Sequence, residues 1–106
     1  MYARRVSLKL KPDTSVALTE TLEKNILPLL RKAKGFQDEI TFVSPDGQNA
    51  FGISLWDRAE SAEAYSRDTY PQVMKLLEKV TTEAPQVGTY EVSNSTFHKI
   101  AAAVTV

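Results

Sequence analysis

An alternating stretch that runs directly into a helix start constrains this chain most. In FGISLWDRAESAEAY, residues 51–65, the side chains of Phe51, Ile53 and Leu55 fall on one side of a strand. Ala50, Gly52, Ser54 and Trp56 fall on the other. Asp57 offers a helix cap, and Glu60 stands three residues on, at capping-box spacing. Tyr65 lies at the far end of that helix. Trp56 is the only tryptophan, and a large aromatic at such a junction often lines the space between a sheet and its helices.

The flanking segments extend the pattern. From Tyr2 to Leu10, Val6, Leu8 and Leu10 share one face, and Arg5, Ser7 and Lys9 share the other. Pro12-Asp13 breaks this strand. Val16, Leu22, Ile26, Leu29, Leu30 and Ala33 then recur at helical spacing, with Asp13, Thr14 or Ser15 as the cap. Pro28 lies inside this helix and should bend it. Gly35 suits a left-handed C-terminal position, with Phe36 making the hydrophobic contact that accompanies it.

A second strand covers Phe36 to Val43, with Ile40 and Phe42 on one face. The turn Ser44-Pro45-Asp46-Gly47 leads to the returning strand Asn49–Trp56. The helix after it breaks at Tyr70-Pro71 and resumes through Val73, Leu76, Leu77 and Val80, until Ala84-Pro85 ends it. Val87 to Phe97 is a last strand, rich in Val, Thr and Tyr. The tail Ala101 to Val106 is apolar and unpatterned. The order strand, helix, strand, strand, broken helix, strand predicts an α+β, ferredoxin-like βαββαβ domain over residues 1–106, with a four-stranded antiparallel sheet.

Composition narrows the function classes. At 106 residues the chain is one domain, and a chain this small gains from extra burial through oligomerisation. Thirteen acids balance thirteen bases, which argues against a nucleic-acid partner and against a polybasic membrane-surface role. No cysteine is present, so disulfides, thiolate metal sites and a cysteine nucleophile are excluded. A secreted domain of this size is often disulfide-stapled, and the N-terminus MYARRVSLKLK has no apolar core of signal-peptide length. No run reaches the roughly 18 apolar residues of a membrane span. The expected location is cytoplasmic.

Neither row of the third strand is charged, whereas a half-solvated sheet shows a polar row. The expectation is that both faces are buried, one beneath helices and one against a second subunit. Phe51, Ile53 and Leu55 would form the interface of a homodimer, sheet against sheet. On the other row, Ala50, Gly52 and Ser54 leave room above the sheet and Trp56 closes one end. That room is either a pocket with an aromatic wall or the site of close helix packing. Tyr65 and Tyr70 flank the helix break over it, placed to bond a phenol or quinone oxygen or to fill the core.

His98, the only histidine, is the natural proton carrier if the protein has one, yet near a terminus it is usually solvated. Alone it does not make a usual metal site. Arg4-Arg5 and the pair Lys9 and Lys11 read as solvated or interface charge. Phosphate-binding glycine loops, HExxH and GxSxG are missing.

SLWDRAESAEAY, then Tyr70-Pro71, then TYEVSNST, resembles the antibiotic biosynthesis monooxygenase domain family. The helix end ILPLLRKAKGF is similar to that family's first helix. The resemblance covers about Tyr2 to Thr96 and implies a dimeric α/β barrel, two ferredoxin-like sheets packed face to face. It also implies cofactor-independent oxidation of aromatic phenols by molecular oxygen, with no cofactor to hold. Trp56 matches the family tryptophan, but the family's strand asparagine four residues earlier is Gly52 here. Haem-degrading relatives place a histidine at the position of Ser66 and an asparagine in the first strand, where Ser7 is the nearest equivalent. Haem degradation is therefore not expected.

Two readings follow. In one, the chain is a monooxygenase of a phenol- or quinol-type substrate, with Trp56, Tyr65, Tyr70, Gly52 and Ser54 shaping the pocket and His98 or Ser7 assisting proton transfer. In the other, it is a non-catalytic dimeric module that binds a small molecule or serves a stress response. A roomy cavity with convergent polar groups favours the first, and a filled one the second.

Overall fold

A computed structural model describes residues 1–97. Strand β1 (Tyr2–Lys9) leads through α1 (Ser15–Thr21), a π-helical turn (Leu22–Ile26) and α2 (Leu27–Lys32) to strands β2 (Phe36–Val43) and β3 (Asn49–Trp56). Helices α3 (Ala59–Asp68) and α4 (Tyr70–Leu77) follow, then β4 (Gln86–Glu91). The sheet order is β2-β3-β1-β4, and every neighbouring pair is antiparallel. This is the ferredoxin-like arrangement, with helices over one face.

The register decides what each face carries. Trp56 stands opposite Tyr2, Ser54 opposite Arg4, Gly52 opposite Val6 and Ala50 opposite Leu8. Beneath the helices these rows join Leu18, Ile26, Leu30, Tyr65, Val73 and Leu77 in one core. Phe51, Ile53 and Leu55 project from the opposite face and are half-buried within the single chain. Phe42 stacks on Phe51 with ring centroids 4.9 Å apart, and the Arg5 guanidinium lies 4.4 Å from the same ring. Ile40 and Phe42 on β2, with Tyr90 on β4, stay exposed beside that row.

Local departures from the sequence expectation have physical causes. Pro28 has no N–H for the Lys24 carbonyl; the chain takes a wide π-helical turn just before it and restarts with Pro28 in the first turn of α2. Thr14 holds the cap position of α1, but its hydroxyl donates to the Lys11 carbonyl at 2.7 Å and does not cap the helix. Asp57 is not the cap of α3. Arg58 holds that position in extended geometry, and the Ser61 hydroxyl draws the Asp57 carboxyl instead. Helix α4 stops at Leu77, well before Ala84, because the following backbone returns to the end of β1: Lys11 N–H bonds the Val80 carbonyl and Thr82 N–H bonds that of Lys9. The last strand ends at Glu91 and does not reach Phe97. Its partner β1 begins at Tyr2, and after the Val92 N–H bonds the Met1 carbonyl no ladder remains. Gly35 does take positive φ, at 83°, but not as the helix C-cap: Ala33 closes α2 in extended geometry, and Gly35 lies in the turn where the Phe36 N–H bonds the Ala33 carbonyl.

Candidate functional site

A cavity of about 60 Å³ lies between sheet and helices. Val6 and Leu8 of β1, Leu18 of α1, Leu22 and Ile26 of the π-helical turn, Leu30 of α2, and Val73 and Leu77 of α4 make most of its wall apolar. Against this wall stand Arg4 of β1, Glu39 and Thr41 of β2, Ser54 of β3, Tyr65 of α3 and Tyr70 of α4. Gly52 is part of the floor.

Arg4 is the principal finding, and it corrects the expectation of a solvated or interfacial charge. It is only 3% exposed. Its guanidinium lies 4.0 Å from the Tyr70 ring centroid and 5.3 Å from that of Tyr65, and Nη2 donates a long hydrogen bond, 3.4 Å, to Ser66 Oγ. Among the described residues it forms no ion pair with a carboxylate. Two aromatic faces offset part of the desolvation cost of such a charge, by about 1–2 kcal/mol each when water is excluded. The bond to Ser66 uses one of its five N–H donors. Strand parity held the clue. Arg4 shares its side of β1 with Val6 and Leu8, and its charge concealed that.

Tyr70 Oη is buried and makes no hydrogen bond of normal geometry. Burial raises its pKa, and Arg4 beside it opposes this in part, by its charge and by hydrogen bonding. Burial likewise pushes Tyr65 up to about 12. Both phenols are therefore neutral donors at physiological pH.

Glu39 and Thr41 are site residues that sequence reasoning missed. Glu39 is half-buried, and desolvation raises its pKa against the lowering effect of the Thr41 hydroxyl, which donates to Glu39 Oε2. Both side chains lean over Gly52. A Cβ at that position would stand 3.0 Å from Glu39 Oε2 and 3.2 Å from Thr41 Oγ1. The missing side chain of Gly52 thus leaves its space to a carboxyl from the adjacent strand.

The other expected residues divide as follows. Ser54, Tyr65, Tyr70 and Gly52 all border the cavity. Trp56 does not; it is fully buried one layer behind, between Phe36 and Tyr65, with ring centroids 5.6 and 5.0 Å away. Its Nε1–H donates to Ser54 Oγ at 2.9 Å, so its link to the cavity runs through that hydroxyl. Ser7 pairs with Phe51 on the opposite face of the sheet, away from the cavity. His98 lies outside the described residues.

No protein-family model matches this sequence, and no curated protein is detectably similar to it in sequence. Solved structures are similar in fold. A monooxygenase of Streptomyces coelicolor, in complex with nanaomycin D, superposes with a TM-score of 0.76 at 14% identity, over 89% of this chain and 88% of that one. A putative antibiotic biosynthesis monooxygenase from Bordetella bronchiseptica gives 0.73 at 16% identity, over 86% and 95%. A protein of unknown function from Nitrosomonas europaea gives 0.72 at 17% identity, over 90% and 91%. The fold of this chain is that of the antibiotic biosynthesis monooxygenase-type proteins.

Proposed function

We propose that the chain is a cofactor-independent monooxygenase that oxidises a small, single-ring phenol or quinol with molecular oxygen in this cavity. The observation that carries the proposal is a pair of donors set side by side in an apolar pocket: a buried guanidinium that forms no ion pair among the described residues, and a buried tyrosine hydroxyl next to it. Together they suit one ionised oxygen on an apolar body. An electron-rich phenolate held there can itself reduce oxygen. In the balanced reaction the phenol and one O₂ give a quinone and one water: one oxygen atom becomes the second carbonyl, and the hydroxyl hydrogen and one ring hydrogen leave in the water with the other oxygen atom. The likeness in fold to a monooxygenase supports the reading. The cavity is smaller than the roughly 150 Å³ apolar cavity that holds benzene, so the substrate is at most a single ring and its entry requires the lining side chains to move apart.

Oxygen consumption with a panel of phenols and quinols of increasing size tests this. Turnover above buffer is expected with single-ring substrates, and Arg4→Met is expected to reduce it by about 10²–10³-fold, the range for removal of one preorganised charge-stabilising donor. Absence of turnover with every substrate refutes the enzymatic reading. The small cavity then favours the alternative, a non-catalytic module that binds a small phenolic ligand.

A further inference from the structure

We propose that Glu39, occupying the space that Gly52 leaves open, is the catalytic base that takes the proton from the substrate hydroxyl while Arg4 holds the resulting oxyanion. The proposal rests on the reading of the cavity as a phenol site, and it deepens that reading. Its geometric basis is a single cross-strand row. Ser54 of β3 pairs with Glu39 on one side and with Arg4 on the other. At about 4.8 Å between neighbouring strands, the Glu39 and Arg4 backbones stand roughly 10 Å apart, with both side chains bordering the same cavity. A hydroxyl oxygen between them meets an acceptor on one side and a donor on the other.

Charge balance favours this division of labour. In the empty cavity the wall carries one cation, Arg4, and one carboxylate, Glu39. In the transfer step the substrate O–H bond breaks, the proton passes to a Glu39 carboxyl oxygen, and the electron pair stays on the substrate oxygen. Nothing is oxidised, and the cavity still holds one cation and one anion. No net charge is created in a poorly solvated space, where it would be costly. The groups facing Glu39 are consistent with the role. Arg4 approaches from β1, Tyr65 from α3 and Tyr70 from α4, while the α1-to-α2 segment presents only Leu18, Leu22, Ile26 and Leu30. Burial biases Glu39 towards accepting a proton, and the Thr41 hydroxyl keeps its ionised form accessible. A base tuned upward from the ordinary carboxylate range is closer to the pH at which it must work.

The test separates this proposal from the monooxygenase reading by counting protons. The probe is a nitrophenol, whose phenolate absorbs in the visible. A dinitrophenol is used because it is ionised throughout the range, and its binding to the full chain is followed by calorimetry in buffers of different ionisation enthalpy from about pH 6 to 9. Wild type is expected to take up close to one proton per phenolate bound, because Glu39 becomes protonated as the second anion enters. Glu39→Gln is expected to take up none, and to bind the phenolate as tightly or more tightly. Thr41→Val removes the bond that favours ionised Glu39, so the pH at which proton uptake appears should move upward. If substrates turn over, Glu39→Gln should lower the rate on weakly acidic phenols by about 10²–10⁴-fold, the usual contribution of a general base, and spare phenols already ionised. Equal proton uptake by wild type and Glu39→Gln overturns the assignment of the base. Proton uptake lost in Glu39→Gln, with no oxygen consumption by wild type, supports Glu39 and refutes the oxygenase. No binding of the nitrophenolate by wild type overturns both.

Discussion

Gly35 and Gly47 form a natural experiment on backbone geometry. Both have positive φ, 83° and 73°, and both lie in turns, one between α2 and β2 and one in the hairpin between β2 and β3. Their surroundings differ. A Cβ on Gly47 would meet no atom within 4 Å. A Cβ on Gly35 would collide with the Asp57 carboxyl and the Ser61 hydroxyl and lie 2.6 Å from Ser61 Cβ, inside any real contact distance. In Gly47→Ala only the left-handed backbone is penalised, by about 1–2 kcal/mol. The loss of unfolded-state entropy returns about 0.4–1 kcal/mol. The net cost is about 0–1.6 kcal/mol. Gly35→Ala carries the same terms plus forced overpacking, which adds about 1–3 kcal/mol. The expected total is about 1–4.6 kcal/mol. Urea titration reads the difference. With a slope of about 1–3 kcal/mol per molar for a small domain, the Gly35→Ala midpoint should fall by roughly 1 M or more and the Gly47→Ala midpoint by much less, with slopes unchanged. Both variants are compared at one protein concentration, so that any association affects them equally. Equal midpoints would refute the claim that the turn into β2 is held tight by Asp57 and Ser61.

Two further expectations concern the tyrosine and the outer face. Tyr65 titrates at about 12 in the folded protein against about 10 when unfolded, so the unfolded chain releases its proton first as pH rises. Stability is therefore complete below about pH 10 and declines by up to about 2–3 kcal/mol towards pH 12, and Tyr65→Phe should flatten that decline; a wild-type curve level over this range refutes it. We also propose that the face carrying Phe51, Ile53 and Leu55, with exposed Ile40, Phe42 and Tyr90 beside them, closes a homodimer sheet to sheet. Light scattering at low micromolar concentration should show twice 11.8 kDa, and Phe42→Asp should return the monomer; an 11.8 kDa species for wild type sinks the proposal.

Much of the fold was legible because alternation and turn chemistry are local. Phe36–Val43 and Asn49–Trp56 begin and end where the strand pattern and Ser44-Pro45-Asp46-Gly47 put them. The misplaced ends all depend on distant partners. Glu91 ends β4 because Tyr2 begins β1, and Leu77 ends α4 because the next residues pair with the end of β1. The site was legible only in its aromatic half. Tyr65 and Tyr70 were placed over the cavity by the helix break, but Trp56 lies behind it, and its single polar bond ends on Ser54. Arg4 and Glu39 share the inward parity of their strands with apolar or small residues, yet a charged residue in an alternating strand reads as solvated until the neighbouring strands are in register. What brings Glu39 inward is the empty space at Gly52, a property of two strands that neither shows alone.

The π-helical turn has a geometric consequence for the whole ceiling of the cavity. Leu18, Leu22, Ile26 and Leu30 are spaced four residues apart, and all four border the cavity. In a regular α-helix each four-residue step advances about 400°, so the side chain precesses by about 40° per step and by about 120° from Leu18 to Leu30. A straight helix would turn one end of this row away from the sheet. The wide turn holds one residue more than an α-helical turn, and that residue absorbs about 100° of the precession. The chain thereby aims four branched side chains along a single line. Removal of one residue between Leu22 and Ile26 would restore a regular helix and rotate Ile26 and Leu30 off that line, which would unroof the cavity while every strand stayed in place.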